Sequence, residues 1–223
     1  MPCSLQYLCV LSLFVVSGNC LSCMQCTSYS DTPCNGTSKS CSSTSDVCGT
    51  TRIQTFGQSW DSFYYIRACV PPTECDRNGT TAGLYVNTSI STTCCYSDDC
   101  TASTPTMPAE NNTENGLICQ TYLEKDLEPC EVKTTTNCTG DQNLCIRYYS
   151  SLTLGSAEST VLFGGCASET LCNSTRDYIS TPGFSLLIIK SCNSNANTLY
   201  QSAIFVSLFF LLHSIFPYSD AQL

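Results

Sequence analysis

In the stretch "GTTRIQTFGQSWDSFYYIRAC" (Gly49 to Cys69), Ile53 and Thr55 alternate with polar neighbours. The alternation breaks at Gly57-Gln58-Ser59, and the chain returns through the aromatic and β-branched run Phe63 to Ile66. A period of two places successive side chains on opposite faces of an extended strand, so this stretch predicts a β-hairpin. "IRYYSSLTLGSAESTVLFGGC" (Ile146 to Cys166) repeats the pattern around Gly155-Ser156-Ala157. No stretch of comparable length carries helical periodicity, and the expected fold class is all-β.

Two apolar runs stand outside this pattern. Leu8 to Val16 begins close to Met1 and ends in small or polar residues against a cysteine-dense segment, which reads as a secretory signal peptide over residues 1–20. Ala203 to Phe216 is apolar for fourteen residues, short of the roughly 20 that a spanning helix needs. Small residues and a polar spacer precede it in "NSNAN", so residues 195–223 read as a removable signal for a glycosylphosphatidylinositol anchor, with Ser194 and Asn195 as candidate attachment residues. Both ends imply an extracellular product, at the cell surface or secreted, in which disulfides can form.

The cysteines then reveal a duplication. Cys41, Cys48, Cys69, Cys75 and Cys95 recur 97 residues later as Cys138, Cys145, Cys166, Cys172 and Cys192. Cys23 and Cys34 recur 96 residues later as Cys119 and Cys130. Seven matches at essentially one offset mark a tandem repeat. Between the copies, "TASTPTMPAENNTENG" is rich in Thr, Pro, Asn and Glu and predicts an exposed, extended linker. The expected layout is a first domain over 21–101, a linker over 102–115 and a second domain over 116–194. Neither has a core large enough to hold it without covalent staples.

Charge narrows the partners. A net charge of −9 and a pI near 4.3 disfavour nucleic acid, which needs clustered Lys and Arg. The single histidine, His213, sits in the apolar tail, so the commonest general base and metal ligand is missing from the expected mature chain. Cys23-x-x-Cys26 suits a structural disulfide in an oxidising compartment better than a zinc or redox site. Asp98-Asp99 lies beside three cysteines without a calcium-loop pattern and reads as a solvated turn. The expectation is therefore no enzyme, no catalytic residue, no metal and no cofactor.

The opening "LSCMQC" of the mature chain, ten cysteines in the first repeat and its ending "CCYSDDC" resemble the three-finger domain of the lymphocyte-antigen and urokinase-receptor (LU) family. With "NGLIC", "NCTGDQNLC" and "GGCASETLC" in the second repeat, the two-domain layout is similar to gamma-type phospholipase A2 inhibitors. The resemblance implies two tandem disulfide-rich three-finger domains. In the first it implies Cys23 with Cys48, Cys26 with Cys34, Cys41 with Cys69, Cys75 with Cys94, and Cys95 with Cys100. In the second it implies Cys119 with Cys145, Cys138 with Cys166, and Cys172 with Cys192. Tyr122 stands where Cys26 has its counterpart, so Cys130 is left unpaired. The implied function is non-catalytic binding of an extracellular protein, with a secreted phospholipase A2 as one possible partner and a membrane attachment through the lipid anchor. The alternative is a soluble secreted inhibitor or signalling ligand.

Six glycosylation sequons occur, at Asn35, Asn78, Asn87, Asn111, Asn137 and Asn173. Trp60, Phe63, Tyr64 and Tyr65, at or just beyond the turn of the aromatic-rich middle finger, are the candidate partner-binding residues.

Overall fold

The computed structural model describes residues 20–126 and 134–194. The expected signal peptide apart from Cys20, the anchor signal, Asn195 and Cys130 lie outside the described residues. Among the described residues twelve strands, all paired antiparallel, form six hairpins, three per repeat. The first repeat contains β1 (Ser22–Ser28), β2 (Thr37–Ser40), β3 (Val47–Gly57), β4 (Asp61–Val70), β5 (Asn78–Gly83) and β6 (Val86–Cys95). The second contains β7 (Glu114–Lys125), β8 (Thr134–Thr139), β9 (Leu144–Leu154), β10 (Ala157–Ala167), β11 (Arg176–Thr181) and β12 (Phe184–Asn193). The strand β7 thus begins at Glu114, inside the segment expected to be linker.

Disulfides gather the bases of the hairpins. They join Cys23 to Cys48, Cys26 to Cys34, Cys41 to Cys69, Cys75 to Cys94 and Cys95 to Cys100. In the second repeat they join Cys119 to Cys145, Cys138 to Cys166 and Cys172 to Cys192. Cys23, Cys41 and Cys48 form a buried sulfur-rich cluster, and Cys119, Cys138 and Cys166 form its counterpart. The fingers extend from these clusters as two tandem three-finger domains.

The repeats share one sheet. In the interior of that sheet β10 pairs with β5, setting Gly165 opposite Gly83, Cys166 opposite Ala82 and Ala167 opposite Thr81. A Cβ on Gly165 would lie 2.2 Å from the Ala82 carbonyl oxygen, so the close approach requires glycine. Beyond the strand, Ser168 N–H donates to the Thr80 carbonyl at 2.9 Å. The two ends of the sheet also meet, β11 coming against β4 and β1, where the Thr27 and Thr181 hydroxyls are 2.8 Å apart. The sheet therefore curls until the apolar faces of the two repeats oppose each other.

Strand register decides which residues face inward. Ile53 lies opposite Tyr64 on one neighbour and Ile90 on the other, and all three pack towards Phe184, Leu152 and Leu186 of the second repeat. The next row, Arg52, Tyr65 and Ser91, lies on the reverse face. That face is covered by the connecting segment, which was expected to be exposed. Pro105 is fully buried there and Ala102 is nearly so. Arg52 binds Asp31 through both carboxylate oxygens and donates from Nη1 to the Pro105 carbonyl at 2.8 Å. Pro105 and Ala102 lack polar side chains, so burying them costs little, and between them the Thr104 hydroxyl lies 3.4 Å from that of the buried Tyr65.

Candidate functional site

The middle finger of the first repeat, β3 and β4, carries the aromatic candidates, and the period of two separates them. Trp60 sits at the turn, 51% exposed. Its indole lies over Gly57, whose N–H donates to the Trp60 carbonyl at 2.7 Å; a Cβ on Gly57 would come within 2.7 Å of the ring. The ring is thus seated by the turn itself. Phe63 is half-buried and meets the exposed Phe56 edge-to-face at 5.8 Å. Tyr64 faces inward, 5.8 Å from Phe184 and 6.0 Å from Tyr29. Tyr65 has no exposed surface and its hydroxyl lies 3.4 Å from that of Thr104. As a contact residue Tyr65 is corrected: the connecting segment covers it, and it packs the sheet.

Between the opposed faces lies a cavity of about 550 Å³. Apolar side chains from both repeats line most of it, including Ile53, Tyr64, Ile90, Leu152, Leu186 and Ile188. Trp60 and Lys125 are the exposed members of its wall, and there it reaches the surface. The ring of Tyr148 stacks on Phe163 at 4.7 Å beside it, and burial pushes the Tyr148 phenol well above its usual range.

Part of the wall is charged. Asp177 accepts from Arg77 Nη2 at 2.7 Å and from Lys190 Nζ, while Ser174 donates to its other oxygen. Arg77 Nη1 also binds Glu74. All four charged residues are buried, and the cluster joins β11 and β12 to the start of β5 across the repeats. Burial works against ionising Asp177, but hydrogen bonds from Arg77, Lys190 and Ser174 outweigh it and hold the carboxyl below the usual range. Burial pushes Glu74 up despite Arg77, and burial together with the Arg77 charge pushes Lys190 down despite Asp177.

This cavity was not anticipated from sequence. A signal was present in β12, where Phe184, Leu186, Ile188 and Lys190 occupy one face at a period of two, so that the lysine continues an inward apolar row.

Other expected site residues are dispersed. Asn35, Asn78, Asn87, Asn111, Asn137 and Asn173 are all exposed, and Asn137 donates to Glu114 at 3.0 Å. Ser194 is exposed at the end of the described chain. The triads Cys23/Cys41/Cys69 and Cys119/Cys138/Cys166 bring three sulfurs within 4.8 Å of one another, but every sulfur is in a disulfide and has no thiolate to offer a metal. Asp98 accepts from the Ser22 N–H at 2.8 Å, so this acidic turn holds the first strand. Cys20, among the described residues, is a thiol packed against the Cys23 cluster.

Residues 19–103 match the family model described as the u-PAR/Ly-6 domain. The first repeat is a u-PAR/Ly-6 domain. The second repeats its three fingers, with one first-finger disulfide fewer among the described residues. The chain is 26% identical over 172 residues to phospholipase A2 inhibitor NAI of Notechis ater, covering 76% of this chain and 84% of that one. A gamma-type phospholipase A2 inhibitor of Elaphe quadrivirgata is 25% identical over 171 residues, covering 75% of this chain and 84% of the relative. The crystal structure of mouse TEX101 aligns with 77% of this chain and 97% of its own at a TM-score of 0.33 and 14% identity, too distant to bear on the argument. The family match thus covers the first repeat, and both of these relatives are named as phospholipase A2 inhibitors.

Proposed function

We propose that the protein is a non-catalytic extracellular binding protein. It is held at the cell surface by a glycosylphosphatidylinositol anchor and engages a protein partner through the middle finger of its first repeat, centred on Trp60. The observation that supports this most is the half-exposed indole seated on Gly57, beside the exposed Phe56, at the tip of a disulfide-anchored hairpin. Large aromatics held rigidly at a surface lose little entropy on binding and make effective anchors. The phospholipase A2 inhibitors among the relatives make a secreted phospholipase A2 the first partner to try.

The full chain, expressed on cells and as a released ectodomain, is titrated against secreted phospholipases A2 by surface plasmon resonance. Trp60→Ala is expected to weaken the interaction by about 2 kcal/mol, roughly thirtyfold, with the disulfide map unchanged. An unaltered Kd in a folded variant overturns the assignment of the finger. Release of the protein by a phosphatidylinositol-specific phospholipase tests the anchor; protein found only in the medium overturns it.

A further inference from the structure

The cavity between the repeats shares only its rim, at Trp60, with the finger-tip reading. Four charged side chains line it, Arg77, Lys190 and Asp177 in its depth and Lys125 at its exposed rim, so its wall holds three cations and one carboxylate; Glu74 binds Arg77 from outside the lining. Donors also exceed acceptors. Arg77 Nε has no hydrogen-bond partner, and the Lys190 ammonium, with three N–H groups, has Asp177 as its acceptor. Donors left unpaired on buried cations are costly, whereas an anion arriving there would satisfy them with charge-assisted bonds. The remaining wall is aliphatic and aromatic, and a void of this size with a few convergent polar groups has the make-up of a ligand site.

We propose that the cavity binds a single-chain amphiphile with a carboxylate head, of the fatty-acid class. The head would lie at Arg77 and Lys190 and the chain along the opposed apolar rows. Charge complementarity selects the head: Arg77, Lys190 and Lys125 set against Asp177 and Glu74 leave one net positive charge that one anion balances, an uncharged head leaves the donors unpaired, and a cation is repelled. Volume selects the tail. At about 30 Å³ per chain carbon, the space of one liquid water, 550 Å³ holds one chain of roughly 16–18 carbons and not two. The wall is exposed at Trp60 and Lys125, which gives the chain a way in.

Trp60 is the only tryptophan and borders the cavity, so its fluorescence reports occupancy. The secreted full-length protein is titrated with hexadecanoate, hexadecanol and hexadecylamine, each below its aggregation concentration, by fluorescence and by calorimetry. Hexadecanoate is expected to bind saturably with one site, and the alcohol at least about tenfold more weakly. Ser150→Phe on β9 and Thr88→Phe on β6 fill the cavity from opposite repeats, and whichever keeps the native disulfide map and near-ultraviolet dichroism should lose binding. Absence of saturable binding overturns the proposal, and so does equal affinity for the alcohol. Full binding by a folded cavity-filling variant would place the ligand elsewhere and equally refute it.

Discussion

Replacing Asp177 with Asn keeps the shape of the side chain and removes the one carboxylate that lies between Arg77 and Lys190. Arg77 retains Glu74, but Lys190, 3% exposed, is left without an anionic partner. Removing one partner of a buried ion pair costs about 3–5 kcal/mol. A second route gives the same figure. If Lys190 discharges instead, bringing its pKa from lysine's usual 10.5 to neutrality at pH 7 costs about 5 kcal/mol, at about 1.4 kcal/mol per unit. The two routes differ in pH dependence. Once Lys190 is neutral in the fold and charged in the unfolded chain, the unfolded state binds the extra proton, so the variant should regain stability as pH rises from 7 towards 10. The wild type, with Asp177 ionised beside it, should lack most of this gain. On the acid side the wild type should lose the contribution of Asp177 as pH falls through its depressed folded pKa, and the variant should lack that limb. Urea unfolding with disulfides intact, followed by Trp60 fluorescence and circular dichroism at several pH values, measures both effects. A loss below about 1 kcal/mol, flat between pH 7 and 10, would show that the cluster does not hold the repeats as described.

Two further perturbations address the second repeat. Tyr122 lies opposite Gly164 in the register that sets Cys26 opposite Arg67 in the first repeat, and a Cβ on Gly164 would meet the Tyr122 ring at 2.3 Å. The ring thus occupies space opened by glycine where the first repeat has a disulfide, and Gly164→Val should destabilise by about 1–3 kcal/mol in thermal unfolding; a variant as stable as wild type would contradict that packing. Cys130, outside the described residues, should take up a thiol reagent only after denaturation; labelling in the native state, or a disulfide-linked dimer that Cys130→Ser abolishes, would show it accessible or bridged.

The hairpins, the duplication and the all-β class were legible because their signals are local or strictly periodic: alternation around Gly57 and Gly155, and cysteines at a fixed offset. What escaped was which face of each hairpin would be covered, and by what. Tyr64 and Tyr65 are adjacent and chemically identical, and alternation says only that they part. Their neighbours decide the rest, Phe184 for one and Thr104 for the other. Arg77 and Asp177 are 100 residues apart, and single charges in a chain of this composition read as solvated until a second sheet buries them. The connecting segment misled for a related reason. Its composition matches an extended tether, yet a few residues without polar side chains suffice to make it a lid over Tyr65.

The pairing of β10 with β5 also bears on how copies of this chain can combine. An open strand edge invites another strand, and here the invitation is answered from within the same molecule. A short tether holds the partner edge at an effective concentration in the millimolar range, which favours the internal match over any encounter in dilute solution. Nothing in the contacts themselves requires the two repeats to come from one chain. If residues 101–113 straighten and leave the face of β3 and β4, two chains can exchange second repeats and rebuild every edge bond, ion pair and inward row in a domain-swapped dimer. The bond from Arg52 to the Pro105 carbonyl holds the connector folded back, and so favours the internal match of β10 with β5 over the exchanged one.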